Sequence, residues 1–296
     1  MRRMIYECHM HIFMNGCNYR QAAAQYKRGV DEADIREKLA AYAQEGVTFL
    51  RDGGDHYGAS VLAAQIAPEY GITYRTPVFA IHKNGHYGGI VGRGFDTMKD
   101  YRHLVQEAGE AGADFIKIMV SGILDFDREG ALSEASLQAE EIREMIHIAH
   151  EEGFAVMAHT NGADAVRAVT AAGVDSIEHG NFMDEDCLQA LRGSHTIWVP
   201  TLVTIANLIG SGRYEDASLK RLKERAGAVI KRGFELGATI APGSDAGAYC
   251  VSHARGIQDE YRALWELAGE LMTREEFDKR MEDAGREIER RFCRPL

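Results

Sequence analysis

From residue 4 onward the chain alternates short apolar runs, rich in β-branched residues, with amphipathic segments of helical period, and glycine-containing turns separate them. The apolar runs fall near 4–9, 47–51, 72–81, 114–120, 154–158, 174–178, 196–200 and 238–241 and are read as strands. Helical segments are predicted near 31–45, 59–67, 97–111, 136–152, 163–172, 184–192 and 216–236, with two more near 256–269 and 273–291. Asp31, followed by acidic residues, has the character of an N-cap for the first of them. Asn15–Asn18, a glycine-rich stretch at 82–94 and a segment at 125–130 are read as loops. Strand–helix units repeated in this way imply a parallel sheet with right-handed crossovers. Eight of them favour a closed (β/α)₈ TIM barrel over an open doubly wound sheet. No Gly-x-Gly-x-x-Gly follows the first strand, so a dinucleotide-binding fold would lack its phosphate loop.

Length agrees with that architecture: 296 residues accommodate one barrel of about 250 residues with additions, and no linker or low-complexity tract interrupts them. Residues 1–296 are therefore read as a single domain. A formal charge of −11 argues against nucleic acid as a partner, because binding to phosphates needs clustered cations. The five cysteines, at 8, 17, 187, 250 and 293, form no Cys-x-x-Cys and suggest neither a disulfide framework nor a thiolate zinc site. A reducing cytoplasm is the expected compartment. Met1–Tyr6 lead to Glu7 and two histidines without an apolar h-region, and no apolar run of about 18 residues occurs, so neither export nor a membrane span is expected.

The candidate chemistry starts at Cys8-His9-Met10-His11. Alternation along a strand points His9 and His11 the same way, as two prongs of a chelate. In a barrel the reactive groups sit at the C-terminal ends of the strands, where His159, His179 and Asp245 also fall. In the fourth strand, Ile116, Ile118 and Val120 form the helix-facing side, so Phe115, Lys117 and Met119 point inward. A lysine buried without a partner must lose its proton, find an anion or be modified. Reaction with CO₂ would turn it into an anionic carbamate able to bridge two divalent metals. Four imidazoles, a carboxylate and such a bridge exceed the four ligands usual for one zinc, and two metals are the more natural content.

The ordered set His9-x-His11, Lys117, His159, His179 and Asp245 resembles the amidohydrolase superfamily in its binuclear form with a carboxylated lysine. Local wording is similar too, in Phe115–Met119, Ala158–Thr160, Ser176–Gly180, Val199–Thr204 and Ser244–Gly247, and is most like the branch of Xaa-Pro dipeptidases and N-acyl-amino-acid hydrolases. The resemblance implies a metal-dependent hydrolase cleaving an amide or peptide bond in a small substrate such as a dipeptide or N-acyl amino acid. It implies His9, His11 and Asp245 on one metal, His159 and His179 on the other, and Lys117 across both. A hydroxide between the metals would attack the carbonyl, with Asp245 as general base and then acid. Zinc is the first expectation, with manganese, iron and cobalt suited to the same donors. Gly85-His86-Tyr87-Gly88 resembles a Gly-His-Gly stretch of that branch and makes His86 a candidate substrate contact. Many relatives carry a small β-sandwich flanking the barrel. Here it is expected to be absent, with extra C-terminal helices covering the barrel or a subunit interface, which leaves room for a homo-oligomer.

Other residues admit plainer readings. His147 and His150 lie among glutamates on one predicted helix and suit a solvated face; His56, His82 and His253 suit loops near strand ends. Arg51 and Asp52 are expected to structure the barrel mouth, while Tyr87, Tyr249 and Arg255 are candidates for specificity. The rival activities are deamination, or cyclic-amide, lactone or phosphoester hydrolysis, on the same metals. A lyase using Lys117 as a Schiff base and a metal-binding barrel without catalysis stand further off.

Overall fold

A computed structural model of the chain describes residues 4–128 and 130–294. The start of the Met1–Tyr6 stretch, Glu129 within the 125–130 loop and the last two residues lie outside the described residues. In chain order the elements are β1 (Ile5–Met10), α1 (Tyr19–Tyr26), α2 (Glu32–Gln44), β2 (Val47–Asp52), α3 (Ala59–Ile66), β3 (Thr73–Arg75), β4 (Ala80–Lys83), β5 (Gly92–Phe95), α4 (Met98–Glu110) and β6 (Ile116–Met119). They continue as α5 (Ala139–Glu151), β7 (Val156–Thr160), α6 (Ala163–Ala171), β8 (Ser176–His179), α7 (Glu185–Arg192), β9 (Ile197–Val199), α8 (Val203–Ala206), α9 (Asp216–Leu236), α10 (Arg255–Ala268) and α11 (Arg274–Arg291). The predicted helices are all found. Their starts follow local chemistry: Asp31 accepts from the Asp34 amide, and Thr97 with Asp100 and Thr273 with Glu276 close reciprocal capping boxes.

Every strand pairing is parallel, in the orders β1-β2-β3 and β5-β4-β6-β7-β8-β9. Backbone hydrogen bonds join these two sheets on both flanks. Asp114 donates to Thr76 O at 2.8 Å on one side. On the other, Trp198 donates to Thr239 O, Ala241 to Trp198 O and Cys8 to Pro242 O, at 2.9, 2.9 and 3.0 Å. The architecture is the TIM barrel, with 239–242 in the place of the eighth strand. That segment makes only a single bridge, Ile240 to Trp198, because Pro242 has no amide to extend the ladder. The third predicted strand is split in two: Pro77 again removes a donor, and Val78 takes a left-handed φ of 65°. Three short elements lie outside the predicted strands and helices, one of them, β5, overlapping a stretch read as a loop. Asn18 accepts from the Arg20 and Gln21 amides and starts α1, β5 pairs with β4 inside the glycine-rich stretch, and α8 follows β9.

The apolar core has two main compartments. A large one fills the space between strands and helices. A second comprises Tyr6, Cys8, Phe49, Phe115, Met157, Ile197, Val199 and Ala241, together with Ala284, Ile288 and Phe292 from α11 and its end. The last helix thus covers the N-terminal end of the barrel. It sits close because residue 285 is glycine, where a Cβ would fall 2.3 Å from the Tyr6 ring. None of the described helices is long and apolar enough to cross a membrane.

Candidate metal centre

At the opposite end of the barrel, β1 delivers His9 and His11 through an irregular register. Pairing with β2 shifts between Glu7 and Met10, the signature of a bulge. The carboxylate of Glu7 fills that irregularity, accepting from the His9 amide at 3.2 Å and from the Ser244 amide at 2.8 Å, while the Ser244 hydroxyl donates to its other oxygen. Asp245 then donates its amide to His9 O at 2.7 Å. One buried acid therefore ties the turn bearing Asp245 to the strand bearing the histidines. Burial raises the Glu7 carboxyl to about 8. Gly53 is needed beneath His11, since a Cβ there would lie 2.1 Å from its ring.

The sequence-derived residues converge. Donor atoms of His9, His11 and Asp245 lie within 4.8 Å of one another, and both histidine Nε2 atoms are 3.6 Å from Asp245 Oδ1. Ring centroids of His159 and His179 stand 4.6 Å apart, and those of His9 and His179 5.0 Å. Lys117 is 1% exposed, and its Nζ has no hydrogen-bond partner among the described residues; the buried His11 Nδ1 has none either. Burial pushes Lys117 down to about 8 and Asp245 up to about 7. Burial, followed by the Lys117 charge, holds His11 and His159 down to about 3 and His9 well below its usual value. His179 is depressed by burial and then by its histidine neighbours. The imidazoles are neutral, as metal donors must be.

Each ring is oriented from behind. His179 Nδ1 bonds to Thr201 Oγ1 at 2.7 Å, and the Trp198 indole donates to His179 O at 2.9 Å. His159 Nε2 faces Gly122 O at 3.3 Å and Asn161 Nδ2 at 3.4 Å, leaving its Nδ1 as the free donor. His179, Thr201 and Asp245 all take left-handed φ values, 68°, 52° and 58°. Strained backbone at three such residues is what a functional site tolerates. The donor set, the orphaned buried nitrogens and these orienting bonds fit divalent metal ions.

The remaining candidates are distributed differently. His86 turns its Nδ1 toward Glu134 at 3.8 Å, while the adjacent Tyr87 ring stands 5.0 Å from His159 and its amide donates to Glu134. His82 is buried with its Nδ1 on Lys83 O, His56 bonds to Gly92 O, and His253 joins Met14 O to the Tyr42 hydroxyl. His147 pairs with Glu151 on the exposed face of α5, whereas His150 reaches Asp175 at 2.8 Å. Tyr249 lies under the Arg213 guanidinium, and Arg255 pairs with Asp259 on α10. Asp52 does structure the mouth, accepting from the Ile12 and Gly54 amides and the Tyr74 hydroxyl. Arg51 does not. It points along the barrel interior beneath the histidines, because alternation on β2 turns it inward like Phe49. Sequence reading passed over Glu7 and Glu178, whose only signal was an acid next to a histidine-bearing strand end. It also passed over an apolar wall of Leu124, Ile205 and Leu222, joined by Phe126, Leu132 and Phe182, from loops beyond β6 and β8 and from α8 and α9.

Fold and site together define a TIM barrel with a candidate metal centre at its C-terminal mouth. Residues 5–250 match the amidohydrolase family model, and the chain belongs to the amidohydrolase family. Members of that family generally use divalent metal ions. An uncharacterised protein of Mycobacterium tuberculosis is 33% identical over 129 residues, 42% of this chain and 34% of its own length. Ochratoxinase of Aspergillus niger is 25% identical over 275 residues, 81% of this chain and 57% of the ochratoxinase. The chain thus spans about a third of the former and just over half of the latter. The crystal structure of that ochratoxinase superposes with a TM-score of 0.77 at 21% identity, covering 94% of this chain and 70% of the other. A Xaa-Pro dipeptidase with bound methionine gives 0.75 at 19%, covering 97% and 75%.

Proposed function

We propose that this chain is a metal-dependent hydrolase that cleaves a carbon–nitrogen bond, an amide or dipeptide bond, in a free small molecule. The reading is carried by the convergence of His9, His11 and Asp245 donors within 4.8 Å, with His159 and His179 beside them and Lys117 buried without a hydrogen-bond partner among the described residues. The names of the similar proteins, Xaa-Pro dipeptidase and ochratoxinase, support the choice of bond. His9, His11 and Asp245 would hold one divalent ion and His159 and His179 a second, with Lys117, as a carbamate formed with CO₂, joining both. Zinc is the first choice; manganese, iron and cobalt suit the same donors. Bound metals supply Lewis acidity and lower the pKa of water towards ~7.

The chain's own groups do the rest. Asp245, held near neutrality by burial, takes a proton from the attacking water and passes it to the leaving amine. Tyr87, against His159, narrows the mouth, and His86 beside it meets a substrate carboxylate or the scissile carbonyl. The enzyme works as one domain in a reducing cytoplasm. Metal content by elemental analysis, on protein purified without chelators and supplied with bicarbonate, tests the reading. About two metals per chain, lost in Lys117→Ala, is the expected result. No metal, together with borohydride trapping of a carbonyl substrate on Lys117, would replace it with the Schiff-base lyase.

A further inference from the structure

Beneath the histidines lies a buried ion pair that the reaction above does not use. Glu178 precedes His179 on β8 and is fully buried; its Oε2 is 2.9 Å from His9 Nδ1, and neither atom has another hydrogen-bond partner among the described residues. Its Oε1 accepts from Arg51 Nη2 at 2.8 Å and from Ser176 Oγ at 2.5 Å. Arg51 is equally buried and spends its fork on three acceptors: Nε on Cys8 O at 2.7 Å, Nη1 on Ser176 Oγ at 2.8 Å, and Nη2 on Glu178. Below, its guanidinium lies 4.4 Å over the Phe292 ring and 5.9 Å over Phe115. A continuous chain of contacts therefore runs from the end of α11, through Arg51 and Glu178, to the outer nitrogen of His9.

We propose that Glu178, held by Arg51 on its Phe292 seat, is a positioning residue that fixes the tautomer and ring of His9 and so sets how tightly the mouth holds a metal ion. This rests on the metal-centre reading given above. A carboxylate at Nδ1 keeps the imidazole proton there, leaves the lone pair on the Nε2 that faces Asp245, and makes that nitrogen more basic. Arg51 keeps the carboxylate aimed: its planar fork matches the Glu178 and Ser176 oxygens in a way a lysine would not. Phe292 supplies a desolvated π face for the cation. A glutamine at 178 would turn an N–H toward either His9 or Arg51, both of which donate.

The test is competition between protein and a chromophoric chelator for Zn²⁺, run with bicarbonate on wild type, Glu178→Gln, Arg51→Lys and Phe292→Leu, alongside the visible spectrum of the Co²⁺ forms. Circular dichroism and melting of the metal-free proteins verify folding. Glu178→Gln is expected to bind Zn²⁺ about 10–100-fold more weakly, with an altered Co²⁺ spectrum. Arg51→Lys should lose less, and Phe292→Leu should stay within a few-fold of wild type. Should Glu178→Gln not fold, Arg51→Lys carries the same test. Zn²⁺ affinities within twofold of wild type and unchanged Co²⁺ spectra in the folded variants would reduce Arg51–Glu178 to a structural ion pair. A wild-type protein that takes up no Zn²⁺ overturns the metal-centre reading itself, a distinct result.

Discussion

At the floor of the barrel, Phe115, just before β6, meets Phe292 with ring centroids 5.3 Å apart; two residues further along, Lys117 stands buried with no hydrogen-bond partner among the described residues. The floor is an apolar cluster closed by α11, and none of its members has a left-handed backbone. The mouth collects neutral histidines, a raised aspartate and three residues in strained conformations. Strand geometry is shared between the two ends, so the difference lies in the side chains and the turns. Burial at the floor stabilises the fold, whereas burial at the mouth destabilises charged forms and keeps donors ready for a ligand. Arg51 and Glu178 form the boundary, hydrogen-bonded to each other and to Ser176 on the floor side and facing His9 on the mouth side.

The largest effect expected from this division is at Asp245. Asp245→Asn should keep most of the bound metal and lose turnover by about 10²–10⁴-fold, as removal of a general acid–base does. Steady-state rates on the best substrate from a dipeptide and N-acyl-amino-acid panel, with elemental analysis alongside, measure both; undiminished turnover would remove Asp245 from the chemistry. Next comes the floor. Ile288→Ala in α11 should destabilise the protein by about 2–5 kcal/mol in urea denaturation, with metal per folded chain unchanged. A substitution there that stripped the metal while leaving stability alone would erase the distinction between the two ends.

Lys117→Met turns the comparison around. It removes a buried ammonium that has no hydrogen-bond partner among the described residues and should stabilise the metal-free protein by roughly 1–2 kcal/mol, in line with the replacement of buried ionic groups by apolar side chains. Metal binding should be lost at the same time. A melting temperature for the metal-free variant no higher than wild type would mean that the lysine has an anionic partner in solution.

How much of this was legible beforehand follows from distance along the chain. His9, His11, Lys117, His159, His179 and Asp245 could be placed because a barrel projects strand ends to one mouth, whatever the loops do. The ion pair could not be, since Arg51 lies 125 residues from Ser176 and 127 from Glu178, and only a folded interior brings them together. The end of the second predicted strand places Arg51 with Asp52 at the mouth, but its inward side chain lies below it. The bulge at Glu7 was illegible for a related reason: its partners are an amide two residues on and a serine 237 residues away. Strand eight looked regular in Ala238–Ala241, and Pro242 shortened it to a single bridge.

The smallest effect separates the mouth's histidines from one that serves structure alone. His253 is held down to about 3, by burial first and by the Lys38 charge second, while its Nε2 donates to Met14 O at 2.8 Å. Its folded value lies below the ordinary 6.5. The stability that its neutral form contributes is therefore complete above about pH 6.5 and is lost as the pH falls towards 3. One such group adds a slope of about 1.4 kcal/mol per pH unit within that window. Unfolding free energies of the metal-free wild type and His253→Gln, measured in urea at pH 7, 6 and 5, should differ in slope by close to one proton between pH 6 and 5 and by less between pH 7 and 6, with the variant flatter. The four mouth histidines titrate in the same direction in both proteins and so cancel in the difference. Parallel slopes would mean that His253 is already solvated, and that Met14, three residues after His11, is held to the barrel by something other than this ring.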